Sequence, residues 1–213
     1  MYDHEKPERA ATGNYCKVLP EHTLLDEGSL LDDYLYSRGL CAKLARENGW
    51  YLSRKAGDWH DRIVIPAKSE IKDLRFWQAR YIGTDPTIKR YMSPHGPRMD
   101  ALVVIYPDGV PTSVLIVEGP CDALAAAEVG ALGIALLGAT PSHLVLDHLA
   151  IRCQGFTKIV VLPDQDALDK GVGIIQALAE RGVFACIARV PVEYKDLAEV
   201  PKERRIEWAI KQN

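Results

Sequence analysis

The stretch Val114–Gly130, "VLIVEGPCDALAAAEVG", decides how this chain folds. Four consecutive apolar residues, Val114 to Val117, read as a short strand buried on both faces. The strand runs straight into Glu118 and Gly119. An Ala-rich helix from Cys121 to Val129 follows, with Asp122 in its first turn. A buried strand that passes at once into a helix is the opening unit of a parallel α/β sheet. Such sheets bind their ligands beyond the carboxyl ends of the strands, where Glu118 lies.

The same rhythm continues downstream. "GIALL" (133–137), "KIVVL" (158–162) and "VFACIARV" (183–190) read as further strands. Between them lie a helix opening at "TPSHLVLDHL", with Thr140 as N-cap and Pro141 at the first helical position, and another over 167–181. Upstream the pattern differs. "SLLDDYLYSRGL" (29–40) places Leu30, Leu31, Tyr34 and Leu35 on one helical face, with Ser29 as N-cap and Gly39 as stop, and a short helix over 41–47 follows. "RIVIPA" (62–67), "LRFWQARYI" (74–82) and "ALVVIYP" (101–107) then read as strands of a small, largely antiparallel sheet. The expected fold class is therefore α/β: a Rossmann-like, mostly parallel sheet with helices on both faces over 112–200, preceded by a small α+β lobe over 23–111. A flexible arm over 1–22 and a C-terminal helix over 201–213 complete the expected organisation.

Composition excludes several classes. The 213 residues suffice for one large domain or two lobes with a real core. Lys and Arg number 26 against 29 Asp and Glu, a net charge of −3, so any nucleic-acid contact needs a local basic patch. Five cysteines (Cys16, Cys41, Cys121, Cys153, Cys186) form no C-x-x-C pair, so no zinc is expected. The start lacks a leader-like apolar core and no run has membrane length, which predicts a cytoplasmic protein with no membrane partner. No G-x-x-x-x-G-K-[ST] motif is present, so the chain carries no P-loop motor.

Acidic residues gather where the parallel strands end: Glu118 after the first, Asp164-Gln165-Asp166 after "KIVVL", and Lys195-Asp196 after "CIARV". If the extended conformation persists past Asp164, the Asp164 and Asp166 side chains point the same way. Taken singly, each has a bland reading. Asp122 suits the positive end of a helix, Asp166 a cap, Asp196 a turn and Glu118 an exposed strand end. Together such carboxylates repel, and a hard divalent cation with oxygen ligands, Mg²⁺ or Mn²⁺, is the natural neutraliser. A site of this kind serves phosphoryl or nucleotidyl transfer.

Glu118-Gly119, Asp164-x-Asp166 and Lys195-Asp196, in this order after apolar strands, resemble the TOPRIM domain of bacterial-type primases and topoisomerases. "LLGATPSHLVLDHL" (136–149) is similar to the segment between the first two motifs in the primase branch. "YLYSRGL", "DRIVIPA", "FWQAR" and "IKRYMSP" resemble successive elements of the RNA-polymerase core of DnaG-type primases. The resemblance implies a DNA-templated synthesis of short RNA primers by a two-metal mechanism, in a phage or mobile-element replication setting. It makes Glu118, Asp164 and Asp166 catalytic metal ligands, with Asp122 and Asp196 beside them. Arg62, Arg80, Lys89, Arg90 and Lys195 would hold template or nucleotide. Single-stranded DNA and ribonucleoside triphosphates would be partners, with a separate replicative helicase. Independently of any family, Arg75, Arg80, Lys89, Arg90 and Arg98 form the densest basic stretch, and Trp77, Tyr81 and Tyr91 among them are candidates for base stacking.

The sequence departs from the primase pattern in several places. Arg90 stands for a lysine, and Gln165 for the glycine between the aspartates. The lysine usual before the TOPRIM strand is missing, and no zinc-binding module precedes the lobe. Two other readings use the same residues: a TOPRIM nuclease with water as nucleophile, and a non-catalytic module that binds single-stranded DNA or a replisome.

Overall fold

A computed structural model describes residues 19, 29–53, 57–68, 74–94, 101–137 and 140–205. Apart from Leu19, the expected arm over 1–22 lies outside them, as do Cys16, Arg98 and residues 206–213 of the expected C-terminal helix, whose first residues, 202–205, are helical.

Two helices come first, α1 (Leu30–Ser37) and α2 (Ala42–Glu47). Each ends on a glycine in the left-handed region, Gly39 (φ 65°) and Gly49 (φ 84°). At the end of α1, Leu40 N–H reaches the Leu35 carbonyl and Gly39 N–H that of Tyr36; at the end of α2, Trp50 N–H reaches that of Ala45 and Gly49 N–H that of Arg46, the paired bonds of a Schellman cap in each case. Leu31 and Leu35 are buried, but Leu30 is 48% exposed, because the inward face of α1 includes Asp32 instead. Asp32 is ion-paired with Arg46 of α2, so a buried carboxylate replaces an expected leucine at the α1–α2 contact.

Four strands form an antiparallel sheet in chain order: β1 (Tyr51–Ser53), β2 (Arg62–Lys68), β3 (Leu74–Tyr81) and β4 (Tyr91–Met92). The strand expected at 101–107 does not join it. As β5 (Val103–Ile105) it pairs antiparallel with β7 (Leu132–Ala135), on the edge of the second sheet. That sheet runs β5-β7-β6-β8-β9, with β6 (Val114–Val117), β8 (Ile159–Leu162) and β9 (Cys186–Ile187); all its other pairings are parallel. Its helices are α3 (Pro120–Glu128), α4 (His143–Cys153) and α5 (Leu168–Ala179). α4 starts later than its sequence suggests. Ser142, not Thr140, is the N-cap, and its Oγ accepts Val145 N–H at 3.3 Å.

Alternation along β6 shows how the layers assemble. Leu115 and Val117 face α3 with Val160 and Leu162, in one core shared with α1, α2 and the inner face of the first sheet. Val114 and Ile116 face the opposite way, into a second core with Leu149 of α4 and Ile174 of α5. Gly133 of β7 lets α3 close on the sheet, since a Cβ there would lie 2.0 Å from the Ala123 carbonyl oxygen. Helices thus cover both faces of the parallel sheet, and the antiparallel lobe shares the α3-side core.

Candidate active site

The carboxyl ends of β6 and β8 and the loop after β9 meet at one cleft of about 310 Å³. One wall carries Glu118, Asp122, Asp164, Lys195, Asp196 and Glu199; the facing wall carries Arg38, Arg80, Arg90 and Tyr91 from the antiparallel lobe. Chain topology is the cause: β6 and β8 are adjacent and parallel, so their ends place Glu118 and Asp164 side by side.

Asp122 sits in the first turn of α3, almost fully buried, and its Oδ1 accepts Ala198 N–H at 2.9 Å. Gly119 makes this possible, because a Cβ there would lie 2.7 Å from Asp122 Oδ2. Asp196 caps the short 3-10 turn Leu197–Glu199, accepting Glu199 N–H at 3.0 Å, while Glu199 Oε2 accepts Lys195 N–H at 3.1 Å. Burial, then the neighbouring Asp196, hold the Asp122 carboxyl well above the usual carboxylate range. Burial, then Glu118 and Asp196, push Asp164 up to about 6. Burial and mutual repulsion together thus disfavour the charged forms of Asp122 and Asp164.

Asp166 does not share the cleft. The chain turns after Asp164, with Ala167 N–H on the Asp164 carbonyl at 2.9 Å, so the extended backbone that would align the two aspartates stops at the first. Asp166 is exposed. Among the described residues, no three His, Cys, Asp or Glu side chains are gathered tightly enough to hold a cation as they stand. The donor chemistry of the acidic wall is nonetheless that of a hard cation: carboxylate oxygens on a frame of strand ends, with no histidine among the described residues that line the cleft.

The basic wall differs from its reading in the sequence. Arg80 is 6% exposed, its guanidinium 5.4 Å from the Tyr34 ring and 5.1 Å from that of Tyr91, to whose hydroxyl it also donates. Arg38, at the end of α1, was not singled out by sequence, although it lies within the quoted "YLYSRGL". The Nε donors of Arg38 and Arg80 are both buried, with no hydrogen-bond partner among the described residues. Arg90 is exposed and lines the cleft, whereas Lys89 beside it does not. Arg62 is absent from that lining and 2% exposed: its Nε donates to the Asp58 carbonyl at 2.6 Å and its guanidinium lies 5.4 Å from the Tyr81 ring. Trp77 cannot stack on a base as placed. It is buried on the far face of the first sheet, edge-on to Trp59 at 5.0 Å.

No protein-family model matches the sequence, and no curated protein matches it. Solved structures do match the fold. The zinc-binding and RNA-polymerase domains of the Aquifex aeolicus primase align with a TM-score of 0.65 at 19% identity, over 85% of this chain and 54% of that one. This chain thus spans about half the length of that neighbour. A DNA primase domain from Pseudomonas aeruginosa aligns at 0.63 with 16% identity, over 86% of this chain and 70% of that one. The primase fragment of the bacteriophage T7 primase-helicase protein aligns at 0.60 with 15% identity, over 84% and 72%. With a parallel sheet of TOPRIM type behind an antiparallel lobe, this chain has the fold of the catalytic cores of DnaG-type primases.

Proposed function

We propose that this protein is a primase-like nucleotidyl transferase that joins ribonucleotides into a short RNA on a single-stranded DNA template. The observation that carries the reading is the cleft itself, an acidic wall facing Arg38 and Arg80, whose buried Nε donors have no partner among the described residues. Buried donors without partners are costly and suit an anionic ligand. Arg38 and Arg80 would hold phosphate groups, and Arg90 at the exposed edge would guide the polynucleotide. The tyrosines around Arg80 restrict its guanidinium, so little side-chain freedom is lost on binding.

Glu118 and Asp164, with Asp196, would hold Mg²⁺ or Mn²⁺. A cation held by these carboxylates would supply positive charge against the negative charge that develops in nucleotidyl transfer. Asp122 acts from behind, fixing the turn after Asp196 through Ala198 N–H. A replicative helicase supplied separately and a cytoplasmic setting in a phage-infected or mobile-element-bearing cell belong to the same reading. What supports a helicase as partner is that the T7 neighbour is a fragment of a bacteriophage primase-helicase protein.

The test is incubation with single-stranded DNA, labelled ribonucleotides and Mg²⁺ or Mn²⁺. Short new oligonucleotides are expected, and their loss, by at least about a hundredfold, in Asp164→Ala. Degradation of input DNA without synthesis would establish a nuclease instead; strand retention with neither outcome would establish a binding module.

A further inference from the structure

Asp164 and Asp196 come from different segments, the end of β8 and the loop after β9, and something must keep them in one cleft. β9 is only two residues long; beyond it Ala188 and Val190 are buried in the shared core, but Val192 is 89% exposed and Glu193 is exposed too. The exposed stretch after Val190 is the part prone to open locally. One side chain spans the gap. Gln165 Nε2 lies 2.5 Å from the Tyr194 carbonyl, 3.0 Å from that of Val192 and 3.4 Å from that of Pro191. A carboxamide has two N–H donors, so the two shorter contacts are its bonds. Gln165 itself is anchored, since it sits in the turn closed by Ala167 N–H on Asp164 O, directly after β8.

We propose that Gln165 is a positioning residue: its carboxamide ties the Asp164 turn to the loop carrying Lys195 and Asp196, so the acidic cleft is assembled before any cation arrives. The inference rests on the nucleotidyl-transfer reading for its purpose, though not for its mechanics. Further contacts complete the tie downstream. Glu199 N–H and Lys195 N–H bond the Asp196 and Glu199 carboxylates, and Ala198 N–H bonds Asp122. Upstream of Lys195, Val190 and Tyr194 pack on the core, and the polar contacts that hold the loop are those of Gln165 and of Arg204, which meets Glu193 and the Tyr194 hydroxyl. Arg204 is exposed, so its ion pair is weak. A fluctuating Asp196 would meet a cation only part of the time, and apparent affinity falls by the fraction of molecules that are competent.

Gln165→Met keeps length and removes both donors; Gln165→Gly removes the side chain. Two measurements on the full chain decide the matter, amide hydrogen exchange of residues 193–196 without metal and Mn²⁺ affinity by electron paramagnetic resonance. In both variants exchange is expected to quicken, and Mn²⁺ affinity to weaken, about three- to tenfold, the loss for one or two neutral hydrogen bonds. Circular dichroism and the unfolding midpoint are expected to stay near wild type. Unchanged exchange or unchanged Mn²⁺ affinity in Gln165→Met would overturn the proposal. A wild-type chain that binds no Mn²⁺ would overturn the catalytic reading instead, and the exchange comparison would still decide whether the tie exists.

Discussion

Asp164 illustrates how one carboxylate links charge, stability and metal binding. Its carboxyl is pushed from 3.8 up to about 6, by burial first and by Glu118 and Asp196 next. The folded state therefore keeps this proton at pH values where the unfolded chain has lost it. Without metal, stability contributed by Asp164 is expected to fall as pH rises from about 4 to about 6, with the full penalty above. Asp164→Asn removes the penalty. At pH 7.5 and without divalent ions, the variant is expected to be more stable than wild type by about 1 kcal/mol, a figure already reduced for solvent screening at this half-buried site. The difference should vanish near pH 4. Urea denaturation at the two pH values checks this, and equal stability at both would remove the electrostatic account of the cleft. The individual carboxylates were legible in sequence because each follows a recognisable strand. The divergence of Asp166 was not, because the turn after Asp164 ends the extended backbone without changing the motif.

At the level of elements, α3 governs the site from both its ends. Its first turn offers Asp122 to Ala198, and its last offers Glu128 to Arg205 at 2.8 Å and to Cys41 N–H. Arg205 also donates to the Gly39 carbonyl at 2.5 Å and the Val200 carbonyl at 2.7 Å, with its side chain 0% exposed. Glu128 therefore joins the α1–α2 junction to the segment after the acidic loop. Glu128→Ala strands a buried guanidinium and is expected to cost about 3–5 kcal/mol, whereas the double variant Glu128→Leu/Arg205→Met recovers most of that loss. Denaturant midpoints of the three proteins measure it; a single variant as stable as wild type would mean that water replaces the carboxylate. Nothing in the spacing of Glu128 and Arg205 announced the pair, since residues 77 positions apart meet only through packing.

Across the whole molecule, the two sheets share a hydrophobic core that holds the arginine wall opposite the carboxylate wall. That opposition predicts a salt-sensitive grip on single-stranded DNA despite the net charge of −3. Arg38→Ala and Arg90→Ala are each expected to weaken binding about equally for unrelated sequences. Each should also flatten the log–log salt dependence by roughly 0.7 if it contacts one phosphate. Fluorescence anisotropy at several salt concentrations checks this; a slope unchanged in both would move the strand to another surface.

Local pattern alone determined the parallel sheet, its helices and the acidic strand ends, because a buried strand needs a continuous apolar run and its topology sends ligands to one edge. Only tertiary structure decided that Val103–Ile105 joins the second sheet, that Arg62 and Trp77 turn inward, and that Arg38 enters the cleft. A strand's composition records that it is buried but not which neighbour buries it. An arginine's charge likewise does not record whether it meets a carbonyl, an aromatic ring or an open cleft.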